Sequence, residues 1–152
     1  MTSVTHGRAP LLVEHFRSFW EAVERSQDRV RFEMIAWVVL PEHFHMIIDP
    51  KDNDLSGILR RLKLSFANQL RERHGSGQGT IWQRRFWDHI IRDQGDMNRH
   101  IDYIHYNPVK HGLTNNPHEW CCSSLGKYFE DGYYSADWSV NERLHFSGGY
   151  GE

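Results

Sequence analysis

The chain has 152 residues, 39% of them hydrophobic and 13% aromatic, with a formal net charge of −2. This length suits one domain over 1–152 with its own core, the compact part reaching about residue 113 and 114–152 forming an irregular C-terminal extension. No apolar run approaches a bilayer span and no charged-then-apolar leader opens the chain, so a soluble, cytoplasmic protein is expected.

Thr2, Val4 and Thr5 are β-prone and are followed by Gly7, which fits the last part of a first strand. From Leu11 to Arg25, apolar residues at Leu12, Phe16, Phe19 or Trp20, and Val23 repeat at helical spacing. Val30 to Leu40 alternates at first and then becomes apolar on both faces, as a strand does on moving toward a sheet centre. Pro41-Glu42 makes a tight connection, and His43 to Asp49 returns as an antiparallel strand. Side chains alternate along a strand, so His43 and His45 share one face and Phe44 takes the other. Neutral imidazole is a common metal ligand, yet paired strand histidines are more often core or surface residues, and two ligands do not complete a site.

Asp54 can cap the next helix, whose apolar stripe is Leu55, Ile58 or Leu59, Leu62, Phe66 and Leu70 and which reaches about Arg73. Gly75 to Gly79 predicts a flexible loop. Ile81 to Arg92 has β character, with Phe86 to Ile91 as its expected strand. A helix starts near Asp96 and runs toward Asn107, closed by Pro108 and Gly112. Beyond Leu113, aromatics such as Trp120, Tyr128 and Trp138 are expected to pin the tail. Cys121 and Cys122 are adjacent, so they cannot form an ordinary disulfide with each other, and no zinc-finger spacing surrounds them. The order predicts an α+β fold: a ferredoxin-like or RRM-like βαββαβ antiparallel sheet with helices on one face, then a further helix.

Charge is unevenly spread. Residues 54 to 92 carry eight Lys or Arg against three acids, whereas after residue 113 Lys127 and Arg143 face six acids. Such a basic middle is either a footprint for phosphate or a solvated helix face. Arg60, Arg61, Lys63, Arg84 and Arg85 are the candidate phosphate contacts, and Trp82 and Trp87 are candidates for stacking on unpaired bases.

Tyr103 and Asn107 are four apart on one helix face. Asn offers an amide oxygen as a hard ligand, and Tyr offers a phenol that becomes a nucleophile against a polarised phosphate. The blocks Trp37-Val38-Val39-Leu40-Pro41-Glu42-His43-Phe44-His45, Ile81-Trp82-Gln83-Arg84-Arg85-Phe86-Trp87-Asp88-His89 and Tyr103-Ile104-His105-Tyr106-Asn107-Pro108-Val109-Lys110-His111-Gly112-Leu113 resemble the single-tyrosine HUH transposases. They look most like the REP-associated tyrosine transposase branch of the IS200-like family, and the likeness covers about residues 8 to 128.

That resemblance implies His43, His45 and Asn107 as ligands of a divalent metal, Mg or Mn, and Tyr103 as catalytic nucleophile. It implies a single-stranded DNA substrate beside a hairpin, a 5′-phosphotyrosine product, and either a monomer or a homodimer. Relatives carry a longer leader and a full first strand before the segment matched by Thr2 to Thr5. His105 is expected to be structural, and His89 is a lesser candidate for a place near the pocket. Two other readings stand beside the enzyme: a domesticated sequence-specific DNA-binding protein with little cleavage, and a hydrolytic metalloenzyme in which Tyr103 only packs.

Overall fold

The computed structural model describes residues 1–75, 79–140, 144 and 146. Of the predicted loop from Gly75 to Gly79, residues 76–78 lie outside the described residues. Three strands, β1 (Thr2–Val4), β2 (Glu33–Val39) and β3 (His43–Asp49), form an antiparallel sheet in the order β1-β3-β2. Four α-helices accompany it among the described residues: α1 (Phe16–Gln27), α2 (Leu55–His74), α3 (Gln94–Lys110) and α4 (Leu125–Glu130). The fold is α+β, and no helix among the described residues is long and apolar enough to cross a membrane.

Strand alternation sorts the core into two layers. Phe44 and Met46 of β3 turn toward α1 and α2, where Phe19, Leu59, Leu62 and Phe66 bury them. Ile47, with Ala36 and Val38 of β2, turns to the other face and packs on Ile101, Tyr103 and Ile104 of α3. His43 and His45 share the parity of Ile47, so the sheet directs both imidazoles toward α3. In register, His45 stands between Thr2 of β1 and Val38 of β2, and His43 stands opposite Val4.

Several elements depart from the sequence reading. α1 begins at Phe16, because residues 11–15 wrap in turns whose Leu12 N–H donates to the Pro41 carbonyl at 2.8 Å. β2 begins at Glu33, since Val30 N–H still serves the end of α1 through the Ser26 carbonyl at 3.0 Å, and its register shifts between Met34 and Ala36. α2 starts as expected: Asp54 accepts from the N–H groups of Ser56 at 3.2 Å and Gly57 at 2.8 Å.

The strand expected at Phe86 to Ile91 does not form. This stretch meets β1 only at isolated bridges, Trp82 opposite Thr5 and Trp87 opposite Thr2. Between the bridges it takes five steps (82 to 87) while β1 takes three (2 to 5), so the surplus loops out and exposes Arg84 and Arg85. Nor does Pro108 end α3. The helix runs through it to Lys110, forgoing the hydrogen bond that an N–H at position 108 would give to the Ile104 carbonyl. Gly112, at φ 67°, closes the helix: its N–H donates to Val109 O at 3.0 Å and that of Leu113 to Pro108 O at 2.9 Å.

Beyond Leu113 the chain covers the outer edge of β2, which would otherwise be an unpaired strand. Ser124 N–H donates to Trp37 O at 2.9 Å, the Trp120 indole N–H donates to Val39 O at 3.0 Å, and the Tyr128 hydroxyl donates to Ile35 O at 2.9 Å. The tail is therefore pinned by its aromatics, with the short α4 among them.

Candidate functional site

The faces of β3 and α3 bring four of the sequence-predicted residues into one buried layer. His43, His45, Tyr103 and Asn107 are each at most 2% exposed. The His43 and His45 rings lie edge to face with centroids 5.0 Å apart, and the Tyr103 ring meets His45 in the same way at 5.4 Å. Asn107 follows Tyr103 by one turn of α3, and its Oδ1 is buried.

The hydrogen bonds of the imidazoles favour a metal ligand set. Thr2 Oγ1 and His45 Nδ1 are bonded at 2.7 Å, and His43 Nδ1 lies 3.2 Å from the Glu42 carboxylate, which accepts. Such outer partners orient the rings, and with Nδ1 engaged in each, Nε2 is the nitrogen that would ligate a metal. Two Nε2 atoms and one amide oxygen form a mixed N/O donor set that fits a divalent cation with positions left for substrate. His111, which follows α3, places a third imidazole 5.0 Å from the His43 ring.

Lys110 is the residue the sequence reading passed over. Its Nζ donates to the Tyr103 hydroxyl oxygen at 3.2 Å and lies 4.8 Å from the ring centroid. The signal was present: Lys110 follows Tyr103 by seven residues, two turns along the same helix face. Thr2 and Glu42 were passed over as well, although Glu42 adjoins His43 in sequence.

On the N-terminal half of α3, a second group gathers around Asp96. His89 Nε2 lies 2.8 Å from Asp96 Oδ2, His100 Nδ1 lies 3.2 Å from Oδ1, and the ligand atoms of all three fall within 4.8 Å of one another. This His-Asp-His cluster can hold a metal ion. The hydrogen bond from His89 pulls the Asp96 carboxyl down to about 2, with Arg92 N–H adding to it. Its spacing at i and i+4 on α3 was legible, but His89 comes from the irregular stretch before the helix.

His105 points away from this layer. It is fully buried, bonded to Ser124 Oγ at 2.8 Å and to the Tyr134 hydroxyl at 3.0 Å, and burial pushes its pKa down to about 3. Tyr134 in turn donates to Asp102 at 2.8 Å, and burial raises that carboxyl. These contacts link α3 to the tail.

The candidate phosphate contacts lie elsewhere. Arg60 and Lys63 of α2 line a groove of about 440 Å³ with Arg71 and Arg84, which shares no lining residue with the cavity beside Tyr103. Arg61 and Arg85 are exposed, and burial lowers the Lys63 ammonium pKa. Trp82 fills the core: it is 8% exposed, its ring meets Phe66 at 5.5 Å and Phe44 at 5.8 Å, and its N–H donates to Lys63 O at 3.0 Å. Most of its surface is thus packed in the core, and what remains lines the same groove as Arg60, Lys63 and Arg84.

The family model "Transposase IS200 like" matches residues 2–107. A REP-associated tyrosine transposase of Escherichia coli (strain K12) is 37% identical over 134 residues, covering 87% of this chain and 78% of its own. A solved structure of a REP-associated tyrosine transposase bound to a REP hairpin superposes with a TM-score of 0.81 at 34% identity, covering 95% of this chain and 90% of that one.

Proposed function

We propose that this chain, which belongs to the IS200-like transposase family, cleaves and rejoins single-stranded DNA beside a hairpin through a 5′-phosphotyrosine on Tyr103. The observation that carries this reading is the meeting of Tyr103 with His45 at 5.4 Å, in a buried layer that also holds His43 and Asn107. The hairpin enters from the structural relative, whose bound DNA is a REP hairpin.

His43, His45 and Asn107 would hold a divalent metal, Mg or Mn. Bound there, the metal supplies Lewis-acid stabilisation of the charge that develops on the phosphate oxygens. The Tyr103 oxygen attacks phosphorus while the bond to the 3′ oxygen breaks. The phenol proton leaves, the departing 3′ oxygen gains a proton, and the strand ends as a free 3′-hydroxyl and a phosphotyrosine. Lys110 holds the phenol oxygen in place and sets a positive charge beside the reacting phosphate. Because the phosphodiester energy is kept in the covalent bond, attack by a 3′-hydroxyl on the phosphotyrosine rejoins the strand and restores the phenol. Arg60, Arg61, Lys63, Arg84 and Arg85 contribute sequence-independent affinity for the DNA backbone.

The test is incubation with labelled hairpin-bearing single-stranded DNA and Mg or Mn, followed by denaturing electrophoresis. A denaturant-resistant adduct that disappears in Tyr103→Phe is expected. No adduct across a broad DNA set in metal-loaded protein would overturn the reading, and free ends without an adduct would point to hydrolysis.

A further inference from the structure

We propose that the cavity beside Tyr103 is a pocket for one unpaired base of the DNA strand next to the scissile phosphodiester, an inference that rests on the reading of Tyr103 as nucleophile. The cavity has a volume of about 400 Å³, and His45 and Tyr103 are part of its lining, so it shares a wall with the candidate reacting group. That volume lies at the small end of ligand pockets, which run from about 300 to 1,000 Å³, and suits a single nucleotide rather than a run of them.

The chemistry of the walls selects a base over a phosphate. Asp49 and Asp88 line the cavity, and among the described residues no Lys or Arg side chain does; the one amine in the lining is the partly buried Met1 α-amino group, which donates to the Met46 carbonyl at 2.8 Å. A phosphate would meet a mostly apolar wall with two carboxylates and no Lys or Arg side chain among the described lining residues, whereas a base is neutral, flat and apolar apart from its edge. Ile48, Ile91, Met97 and Ile104 supply apolar surface, and Ile90, which also lines the cavity, is 82% exposed. An exposed apolar side chain of that size beside a largely apolar cavity fits a ligand that covers it.

The polar part of the lining is already ordered. Trp87, His89 and His100 are stacked, Trp87 on His89 at 6.0 Å and 5° and His89 on His100 at 4.6 Å and 13°. Asp96 holds both imidazoles, His89 through its carboxylate at 2.8 Å and His100 through its backbone carbonyl at 2.9 Å, and its carboxylate accepts from Arg92 N–H at 3.1 Å. An ionised carboxylate only accepts, so His89 carries its hydrogen on Nε2 and, when neutral, its acceptor on Nδ1, a match for the exocyclic amine of a base. Enzymes that handle an unstacked base use this combination of flat side chains and edge-reading groups. In this assignment Asp96 is a positioning residue and the cavity a specificity site.

The experiment places an abasic site, one position at a time, within three nucleotides on either side of the cleavage point of a hairpin-bearing strand, and measures adduct yield. One position is expected to lower the yield about tenfold, the scale of one lost base–aromatic stack. Met97→Trp, which fills the cavity, lowers the yield on intact DNA and shows no further loss with the abasic strand. Equal yields at every abasic position, or losses that multiply in Met97→Trp, would overturn the proposal. Binding of 2-aminopurine at that position to Tyr103→Phe protein gives a second readout without chemistry: its fluorescence is expected to quench there, and unchanged fluorescence at all positions overturns the pocket. Absence of adduct on every DNA would defeat the nuclease reading alone, leaving the fluorescence to decide the pocket.

Discussion

Lys110 Nζ lies 3.2 Å from the Tyr103 hydroxyl oxygen, two helical turns along the same face of α3. If Tyr103 is the nucleophile, an ammonium at that distance would fix the phenol and stabilise negative charge as the oxygen attacks phosphorus. In Lys110→Met the single-turnover rate of adduct formation is expected to fall roughly 10²-fold, the scale of one lost charge-stabilising donor, with DNA affinity changed far less. Lys110→Arg, which keeps the charge but not the reach, is expected to recover part of the rate. A Lys110→Met protein that forms adduct at the wild-type rate would remove Lys110 from the reaction.

The outer partners of the two histidines give a prediction that needs no DNA. Thr2 Oγ1 holds His45 Nδ1 at 2.7 Å, and Glu42 Oε1 holds His43 Nδ1 at 3.2 Å. Losing such a partner typically weakens metal affinity about 10–100-fold. Titration calorimetry with Mn is expected to show weakening on that scale in Thr2→Val and in Glu42→Gln, and loss of the site in His45→Ala. Wild-type affinity in both outer variants would mean that the rings are held by packing alone.

Much of this site was legible in the sequence because strands and helices have fixed periods. The alternation of β3 put His43 and His45 on one face and Phe44 in the opposite core, and the i to i+4 spacing aligned Tyr103 with Asn107. What escaped depended on deviations from those periods. The stretch from Ile81 to Arg92 has strand composition, but two surplus residues between its bridges to β1 prevent a ladder. Pro108 suggested a helix end and hid Lys110, although α3 runs through it to Lys110. The Asp96 cluster joins residues of α3 to a histidine of the irregular stretch, a meeting that no local pattern encodes.

His105 gives the chain a defined acid sensitivity. Burial lowers its pKa from 6.5 to about 3, so it stays neutral in the folded state while the unfolded chain takes up a proton below pH 6.5. Its contribution to stability is full above that pH and is lost as pH falls toward the folded value. From pH 7 to pH 5 this one group is expected to remove about 2 kcal/mol, since the unfolded state binds about one proton more. Urea unfolding at a series of pH values checks it, with His105→Gln as control. That variant is less stable at pH 7 because it disturbs the bonds to Ser124 and Tyr134, and its stability falls less steeply between pH 7 and pH 5. Parallel pH profiles for the two proteins would mean that His105 is protonated in the folded state.

Tyr103 meets His45 of its own chain, and α3 is tied to that chain's own sheet. His105 bonds Ser124, whose backbone and hydroxyl pair with Trp37 of β2, and Asp102 bonds Tyr134 of the tail. To serve a partner's metal ligands, α3 would have to break these buried bonds and lift Ile101 and Ile104 out of the core. A mixture of Tyr103→Phe and His45→Ala proteins is therefore expected to form no adduct, since each chain lacks half of its own site. An exchanged helix would instead restore activity, because a chain with intact Tyr103 would meet a sheet with intact His45. Recovery of a substantial fraction of wild-type adduct yield in the mixture would show that the tyrosine acts on the partner, while continued silence beside an active wild-type control fixes the reaction within one chain.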